Sequence, residues 1–149
     1  RRKMPSKKAF IERLNAFFER APKGYAYGVE TRNPNYLTED FLDFLRDRGL
    51  VFVMLEGYYM PHIADVVAEH DVRTAEFSII RLYGPDRQAI EARTGGLWGE
   101  IVDPKDKGLK ATTSIIEQNA GKGFTTFVNV NNHYEGSAPL TIQRLLRLL

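Results

Sequence analysis

The chain has 149 residues, of which 43% are hydrophobic, and its formal net charge is only +2 at pH 7. This length allows one domain with a sizeable core, and the composition is that of an ordinary globular protein. The small net charge argues against nucleic-acid binding driven by bulk electrostatics. No apolar run approaches the ~18 residues of a membrane-spanning helix, and no secretory signal pattern is visible.

The ends and the cysteine content suggest where the protein works. The chain has no cysteine, which excludes disulfides and thiolate chemistry and fits a reducing compartment, so we expect a cytoplasmic protein. The start, RRKMPSKK, is strongly basic. We interpret it as a solvated segment, with a phosphate-binding arm as the alternative. Because residue 1 is not methionine, we expect a piece of a longer protein, with residues 1–149 forming a single α/β unit.

The first half of the chain predicts alternating helices and strands. Ser6 is a suitable cap for a first helix, which the segment APKG ends. The segment YAYGVETRN predicts a strand. Thr38 is a suitable cap for a second helix, which Gly49 ends. The apolar run LVFVMLE predicts a strand covered on both faces, and HIADVVAEH predicts the helix after it.

The second half continues this alternation after one interruption. FSIIRLYG predicts the third strand, and residues 85–108 then read as a long irregular stretch. A helix around residues 111–120, the strand FTTFVNVN and a final helix, APLTIQRLLRLL, complete the chain. Ser137 is a suitable cap for this final helix. Four strand–helix units after a first helix predict a parallel sheet. Two architectures fit: part of a (β/α) barrel of the TIM type, and a small doubly wound sheet.

Polar residues gather at the carboxyl end of each predicted strand. Side chains two apart in a strand share a face, and on one face of all four strands the residues change from small or apolar to ionisable or amide. The predicted rim consists of Glu30, Arg32, Glu56, Arg81, Tyr83, Asn129 and Asn131. Parallel α/β folds bind ligands at these strand ends. A purely structural layer of ion pairs, Glu30–Arg32 or Glu56–Arg81, is the alternative.

These residue types predict the binding and turnover of an anionic, phosphorylated substrate. Arg32 and Arg81 are the expected clamps, because a guanidinium matches phosphate oxygens in a bidentate fork. Either Glu30 or Glu56 is the expected general acid or base, and His133 is a second candidate for proton transfer. Tyr83, Asn129, Asn131 and Asn132 complete the predicted substrate-binding residues.

Two alternatives stay open beside this enzyme hypothesis. A metal-dependent version would use Glu30, Glu56 and His133 as ligands, but the chain has no HxH or HExxH spacing, so we predict no cofactor. A non-catalytic module would instead use the basic start and the arginines to hold nucleic acid or an acidic partner. A steep dependence of affinity on salt would distinguish many phosphate contacts from one small site.

The stretch 85–108 is a candidate lid over the site. Irregular segments this long inside compact domains are usually functional or disordered. Gly95, Gly96 and Gly99 would supply hinges, and Trp98 would supply an apolar contact. A mobile insertion without a function is the alternative interpretation.

Three segments together resemble a known family. In order and spacing, VETRNPNYLTEDFLDFLRDRGL, IIRLYG and FVNVNNHYEGSAPLTIQRLL resemble the C-terminal half of the domain-of-unknown-function 72 family, also called YecE-like. The matched positions are Glu30, Arg32, Asn33 and Pro34, then Arg81 and Gly84, and finally Asn131, Asn132, His133, Gly136, Ala138 and Pro139. Tyr83 stands where this family usually has His, and Tyr36 where it usually has Trp.

The resemblance implies a TIM-like barrel of ~250 residues, of which this chain would hold about four β/α units, a half barrel. It leaves the reaction open, and Tyr83 in place of His argues against acid–base chemistry at that position. A half barrel exposes two unpaired strand edges and an inner face. We therefore predict that the chain pairs with a second copy or with a missing N-terminal half.

Overall fold

The computed structural model describes residues 6–84 and 87–149. Its elements, in chain order, are α1 (Lys7–Arg20), β1 (Gly28–Val29), α2 (Glu39–Asp47), β2 (Val51–Glu56), α3 (Ile63–Glu69), β3 (Phe77–Leu82), α4 (Arg87–Thr94), α5 (Asp106–Ala120), β4 (Thr125–Val130), α6 (Asn132–Glu135) and α7 (Ala138–Leu146), with a 3-10 turn at Pro34–Tyr36. Strands and helices alternate, as the sequence predicts. Residues 1–5 of the basic start lie outside the described residues, whereas Lys7 and Lys8 begin α1.

The four strands form one parallel sheet in the order β1-β2-β3-β4. The parallel α/β prediction is therefore confirmed. A doubly wound sheet requires a reversal of strand order, and the described strands show none, so that alternative does not fit. The predicted strand YAYGVETRN is much shorter in the structure, because only Gly28 and Val29 pair with β2.

The hydrophobic core lies between one face of the sheet and the helices. From the strands it contains Phe52, Met54, Ile80 and Leu82, and from the helices Phe41, Leu42, Leu45, Ile63, Leu109 and Leu145. Each such side chain contributes about 1.5–3 kcal/mol when it is fully buried. This face holds the fold together, and the opposite face is the one that remains for a ligand.

The opposite face is less covered, particularly on β4. Phe127 is exposed there and contacts Phe77 with ring centroids 5.5 Å apart. Among the described residues, β1 and β4 each pair along one edge only. The sheet is therefore open on two edges and over part of one face.

Local capping follows the sequence in two places and departs from it in a third. The Ser6 hydroxyl accepts from Ala9 N at 3.0 Å, and Thr38 accepts from Phe41 N at 3.4 Å, so both predicted caps are confirmed. Ser137 makes no side-chain cap to α7. The donor that begins this helix, Ala138 N, is bound by Asn132 instead.

The stretch 85–108 is more regular than predicted. It contains α4, which is followed by Gly95 and Gly96 with φ of 59° and 77°, and it ends in the first turn of α5. Within the described part of this stretch, residues 87–108, the irregular segment is residues 95–105. Pro85 and Asp86 lie outside the described residues. Within residues 6–84 and 87–149, no helix has the length and apolar character needed to cross a membrane.

Candidate functional site at the carboxyl ends of the strands

Glu30 joins two arginines on the face of the sheet opposite the helices. Strand register aligns Leu55 with Arg81 and Arg81 with Asn129, and Glu30 follows β1 on the same face. One Glu30 oxygen accepts from Arg32 Nε at 2.6 Å, and the other pairs with an Arg81 guanidinium nitrogen. Two cations share one carboxylate, so this cluster keeps a net charge of about +1. The predicted convergence of Glu30, Arg32 and Arg81 is therefore present.

Tyrosine rings surround the two guanidinium groups. The Arg32 guanidinium carbon lies 4.6 Å from the ring centre of Tyr83 and 5.5 Å from that of Tyr58. Arg81 lies 5.5 Å from the Tyr83 ring. The hydrogen bond to Glu30 raises the pKa of Arg32, against a smaller opposing effect of burial. Both cation–π contact and the carboxylate hold Arg32 charged and in place.

Backbone contacts hold together the loops that follow β2, β3 and β4. Gly84 has φ of 93°, and a Cβ built on it would collide with the carbonyl oxygen of His133. A Cβ on Gly57 would lie 2.7 Å from Gly84 N. Tyr58 N donates to Gly84 O at 3.0 Å. Glycines at these two positions therefore allow the close backbone approach that brings the carboxyl ends of β2, β3 and β4 together.

Glu56 lies on the wrong face for the predicted rim, which corrects the sequence interpretation. It is buried on the helix side, where one carboxylate oxygen accepts from Ile63 N at 2.8 Å and the other lies 3.4 Å from His62 Nε2. The Glu56–Arg81 ion pair considered from the sequence is wrong too, because Arg81 pairs with Glu30. The run VFVMLE is apolar at every position before Glu56, so it has no alternation from which its inner face could be read.

Asn131 and Asn132 serve as caps within their own loop. Asn131 Oδ1 accepts from His133 N at 2.9 Å, and Asn132 Oδ1 accepts from Ala138 N at 2.8 Å. These bonds explain polar side chains at the end of a core strand, since each helix start needs an acceptor. Asn129 differs, because it is exposed on the open face beside Arg81. A substrate role for these asparagines stays a prediction.

His133 belongs to a second group that includes α4. Its Nδ1 lies 2.6 Å from Asn131 Oδ1, and its Nε2 lies 3.2 Å from Glu91 Oε1. The Trp98 ring meets the imidazole edge-on at 5.0 Å between centroids. Hydrogen bonds from Arg87 and then from His133 lower the pKa of Glu91. The candidate lid is thus attached to the loop after β4 through His133.

The three residues considered as metal ligands do not form one group. Glu30 contacts arginines, Glu56 contacts the start of α3, and His133 contacts α4. In the part of the chain that the structure describes, no three His, Asp or Glu side chains are placed to hold a metal ion.

Glu135, which the sequence reasoning missed, forms a buried structural centre. It is fully buried and accepts from Lys105 N at 2.6 Å, from the Thr141 hydroxyl at 2.8 Å and from Arg144 at 2.7 Å. An acidic residue followed nine positions later by an arginine is too common a pattern to identify such a centre. Next to it, burial raises the pKa of Tyr134, whose hydroxyl finds no hydrogen-bond partner among residues 6–84 and 87–149.

A separate cavity lies between α3 and α5. Its volume is about 340 Å³, and Met54, His70, Ser78 and Asn119 are among the residues that line it. None of the residues predicted for the site lines this cavity. We place the candidate site at the strand ends, because charged groups from separate elements converge there.

The fold and this edge define the class: a parallel α/β protein with a charged cluster where its strands end. The family model described as "Protein of unknown function DUF72" matches residues 2–149, so the chain belongs to the DUF72 family. A search of curated proteins finds no match.

Two solved structures have a similar fold. A DUF72 family protein from Thermotoga maritima is 20% identical, with a TM-score of 0.71, and the match covers 98% of this chain and 54% of that one. A DUF72 family protein from Enterococcus faecalis is 15% identical, with a TM-score of 0.55, and the match covers 99% and 57% of the two chains. The chain therefore spans about half the length of these relatives. At these identities the likeness shows the fold alone.

Proposed function

We propose that the chain binds a small phosphorylated anion at the carboxyl edge of its sheet. The observation that carries this proposal is the Glu30 cluster, in which one carboxylate holds Arg32, from the segment after β1, and Arg81, from β3. Its residual positive charge faces away from the hydrophobic core. Arg32 and Arg81 are the proposed contacts to phosphate, and Asn129 and Tyr83 flank them.

Exposure supports this role for the arginines. The side chains of Arg32 and Arg81 are 42% and 34% exposed, whereas that of Glu30 is 16% exposed. Solvent, and hence an anion, reaches the guanidinium groups more readily than the carboxylate. Carboxylates and phosphates both accept charge-assisted hydrogen bonds from guanidinium groups, and these bonds are about twice as strong as neutral ones. An arriving phosphate therefore competes with Glu30 for the same donors.

If the ligand is a substrate, Glu30 is the proposed acid or base. It is the acidic candidate beside the arginines, since Glu56 lies on the other face. A non-catalytic binding module is the second candidate function. It is favoured by one observation: Asn131, Asn132 and His133 are already bonded within the chain. Nucleic acid and an acidic protein partner belong to this second candidate.

We also propose that the sheet is half of an eight-stranded barrel of the TIM type, and that the protein works in the cytoplasm. The relatives are about twice as long as this chain, and its four strands are half of the eight in such a barrel. In a preparation of these 149 residues, the only available second half is another copy. Sedimentation at micromolar concentration should therefore show a dimer, and a folded monomer would contradict the proposal.

The anion proposal is tested with inorganic phosphate and two substitutions. We expect Arg32→Gln and Arg81→Gln each to weaken phosphate binding by about tenfold or more, because a hydrogen bond to a charged group contributes about 1.5–3 kcal/mol. Arg20→Gln, at the exposed end of α1, is the matched control and should change nothing. Titration followed by NMR at low ionic strength measures all four proteins. Unchanged affinity in both rim variants would end the proposal.

A further inference from the structure

The loop after β2 places two further tyrosines next to the Arg32 cluster. The rings of Tyr58 and Tyr59 lie 4.7 Å apart, and those of Tyr58 and Tyr83 lie 5.9 Å apart. Since Arg32 contacts both Tyr58 and Tyr83, a continuous surface runs from Tyr59 to Glu30. We call this surface, formed by Glu30, Arg32, Tyr58, Tyr59, Arg81 and Tyr83, the tyrosine–arginine edge.

We infer that the ligand of this edge is a nucleotide, with its phosphate at Arg32 and Arg81 and its base stacked on Tyr59. This inference rests on the proposed function and adds the chemical class of the ligand. A sugar phosphate without a base would use the arginines alone. Tyr58 and Tyr83 already contact Arg32. The exposed ring of Tyr59 therefore gains a role in binding only if the ligand is also aromatic.

Tyr59 has the exposure that stacking requires. It is 76% exposed. It lies three residues after the end of β2, in a loop that packs on Gly84. A single exposed tyrosine is ordinary on a protein surface. Here, however, it extends an aromatic group that already holds a guanidinium. Aromatic rings and guanidinium planes are the surfaces on which bases stack, whatever the base.

The backbone at Tyr58 is held in a conformation that tyrosine rarely adopts. Its φ is 61°, and it is the residue other than glycine with positive φ among the described residues. This conformation costs about 1–3 kcal/mol and persists only where the surroundings impose it. The bond from Tyr58 N to Gly84 O and the contact between Gly57 and Gly84 impose it here. The loop thus holds Tyr58 and Tyr59 at the charged edge at a cost in stability.

The test compares ligands that share a phosphate and differ in the base. Adenosine 5′-monophosphate should bind about tenfold or more tightly than ribose 5-phosphate, as expected from the stacking of one base on an aromatic ring. Tyr59→Ala should remove that difference and leave the affinity for ribose 5-phosphate unchanged. Tyr25→Ala is the matched control, since Tyr25 is similarly exposed, at 72%, and precedes β1 rather than following a strand. Calorimetry measures both ligands on all three proteins.

The outcomes separate this inference from the anion proposal. If both phosphates bind equally and Tyr59→Ala changes neither, the nucleotide inference is overturned and anion binding stands. If adenosine binds in a manner sensitive to Tyr59→Ala while inorganic phosphate does not bind, the base contact stands and the arginine clamp fails. If no ligand binds to the folded chain, both are overturned.

A nucleotide can be free or part of a strand, and a salt series distinguishes the two sources. We expect an oligonucleotide of eight thymidines to bind no more tightly per molecule than the mononucleotide, with a shallow dependence on salt, because the edge carries two arginines. A steep dependence would mean that several phosphates are bound. That result would overturn the free nucleotide as the ligand.

Discussion

Glu30 and Glu135 are both carboxylates paired with arginine, yet their surroundings differ completely. Glu30 binds two arginine side chains at the open edge of the sheet, and both partners are partly exposed. Glu135 is fully buried, and its oxygens are bound by a backbone N–H, a hydroxyl and Arg144. The first carboxylate pairs with side chains that solvent reaches, whereas the second joins separate segments of the chain.

This difference teaches how to distinguish a candidate site from a structural ion pair. The partners of Glu135 join the segment before α5 to α6 and α7, so its bonds support three elements and leave no room for a ligand. The partners of Glu30 are long side chains that solvent reaches. An anion can take their donors without disrupting the backbone, so only the Glu30 cluster is suited to exchange one partner for another.

The largest effect is expected for the substitution Glu135→Ala, which should lower the free energy of unfolding. Glu135→Ala leaves Lys105 N, the Thr141 hydroxyl and one side of Arg144 without their acceptor. We expect a loss of about 3 kcal/mol or more, as is found when one partner of a buried pair is removed. Chemical denaturation with circular dichroism measures it.

Glu30→Ala is the matched variant for that measurement. Its partners stay hydrated, so its cost should be at most about 1 kcal/mol. Equal losses at the two positions would show that the Glu30 cluster is a structural ion pair as well, and the distinction between the two carboxylates would fail.

A smaller effect is expected from the titration of Glu91, which lies in α4 and contacts His133. Arg87 and His133 lower the pKa of Glu91 in the folded chain. The ionised form is therefore favoured by folding, so its contribution is present above the ordinary pKa of ~4.3 and is lost as pH falls through the lowered value.

The measurement is the melting temperature between pH 3 and pH 7. Glu91→Gln should melt slightly lower than the parent at pH 7, and the two should converge near pH 3. Curves that stay parallel over this range would show that the pairs of Glu91 with Arg87 and His133 do not contribute to stability.

The fold could be predicted largely from the sequence, because its signals are local. Periodic apolar positions, caps such as Ser6 and Thr38, and glycine stops define the helices. An apolar run defines β2, and alternating positions define β3 and β4. The first strand was overestimated, since pairing of β1 depends on a neighbouring strand and stops after Val29. The local sequence does not show where the pairing of β1 with β2 stops.

The site could be predicted only in part. Glu30, Arg32 and Arg81 were found, because alternation in β3 and after β1 places them on one face. Glu56 was misplaced because β2 is apolar on both faces. The capping roles of Asn131 and Asn132 depend on short loops whose geometry is not periodic.

Physical reasons also explain why some residues of interest were not identified from the sequence. Glu135 is buried by long-range contacts to Lys105 and Arg144, which no short pattern encodes. Tyr58 and Tyr59 did carry a usable signal, since two aromatic residues directly after a strand and a glycine are suited to a binding edge. The importance of Tyr58 lies in its backbone conformation, which only coordinates reveal.

The most direct test of the account is the affinity of the Glu30→Gln variant for inorganic phosphate. If Glu30 and phosphate compete for Arg32 and Arg81, removal of the carboxylate charge frees both donors and raises the local positive charge. We predict that phosphate binds about threefold or more tightly at low ionic strength, with the gain shrinking as salt increases. Unchanged or weaker binding by the folded variant would contradict the account, because Glu30 would then not compete with phosphate for the two arginines.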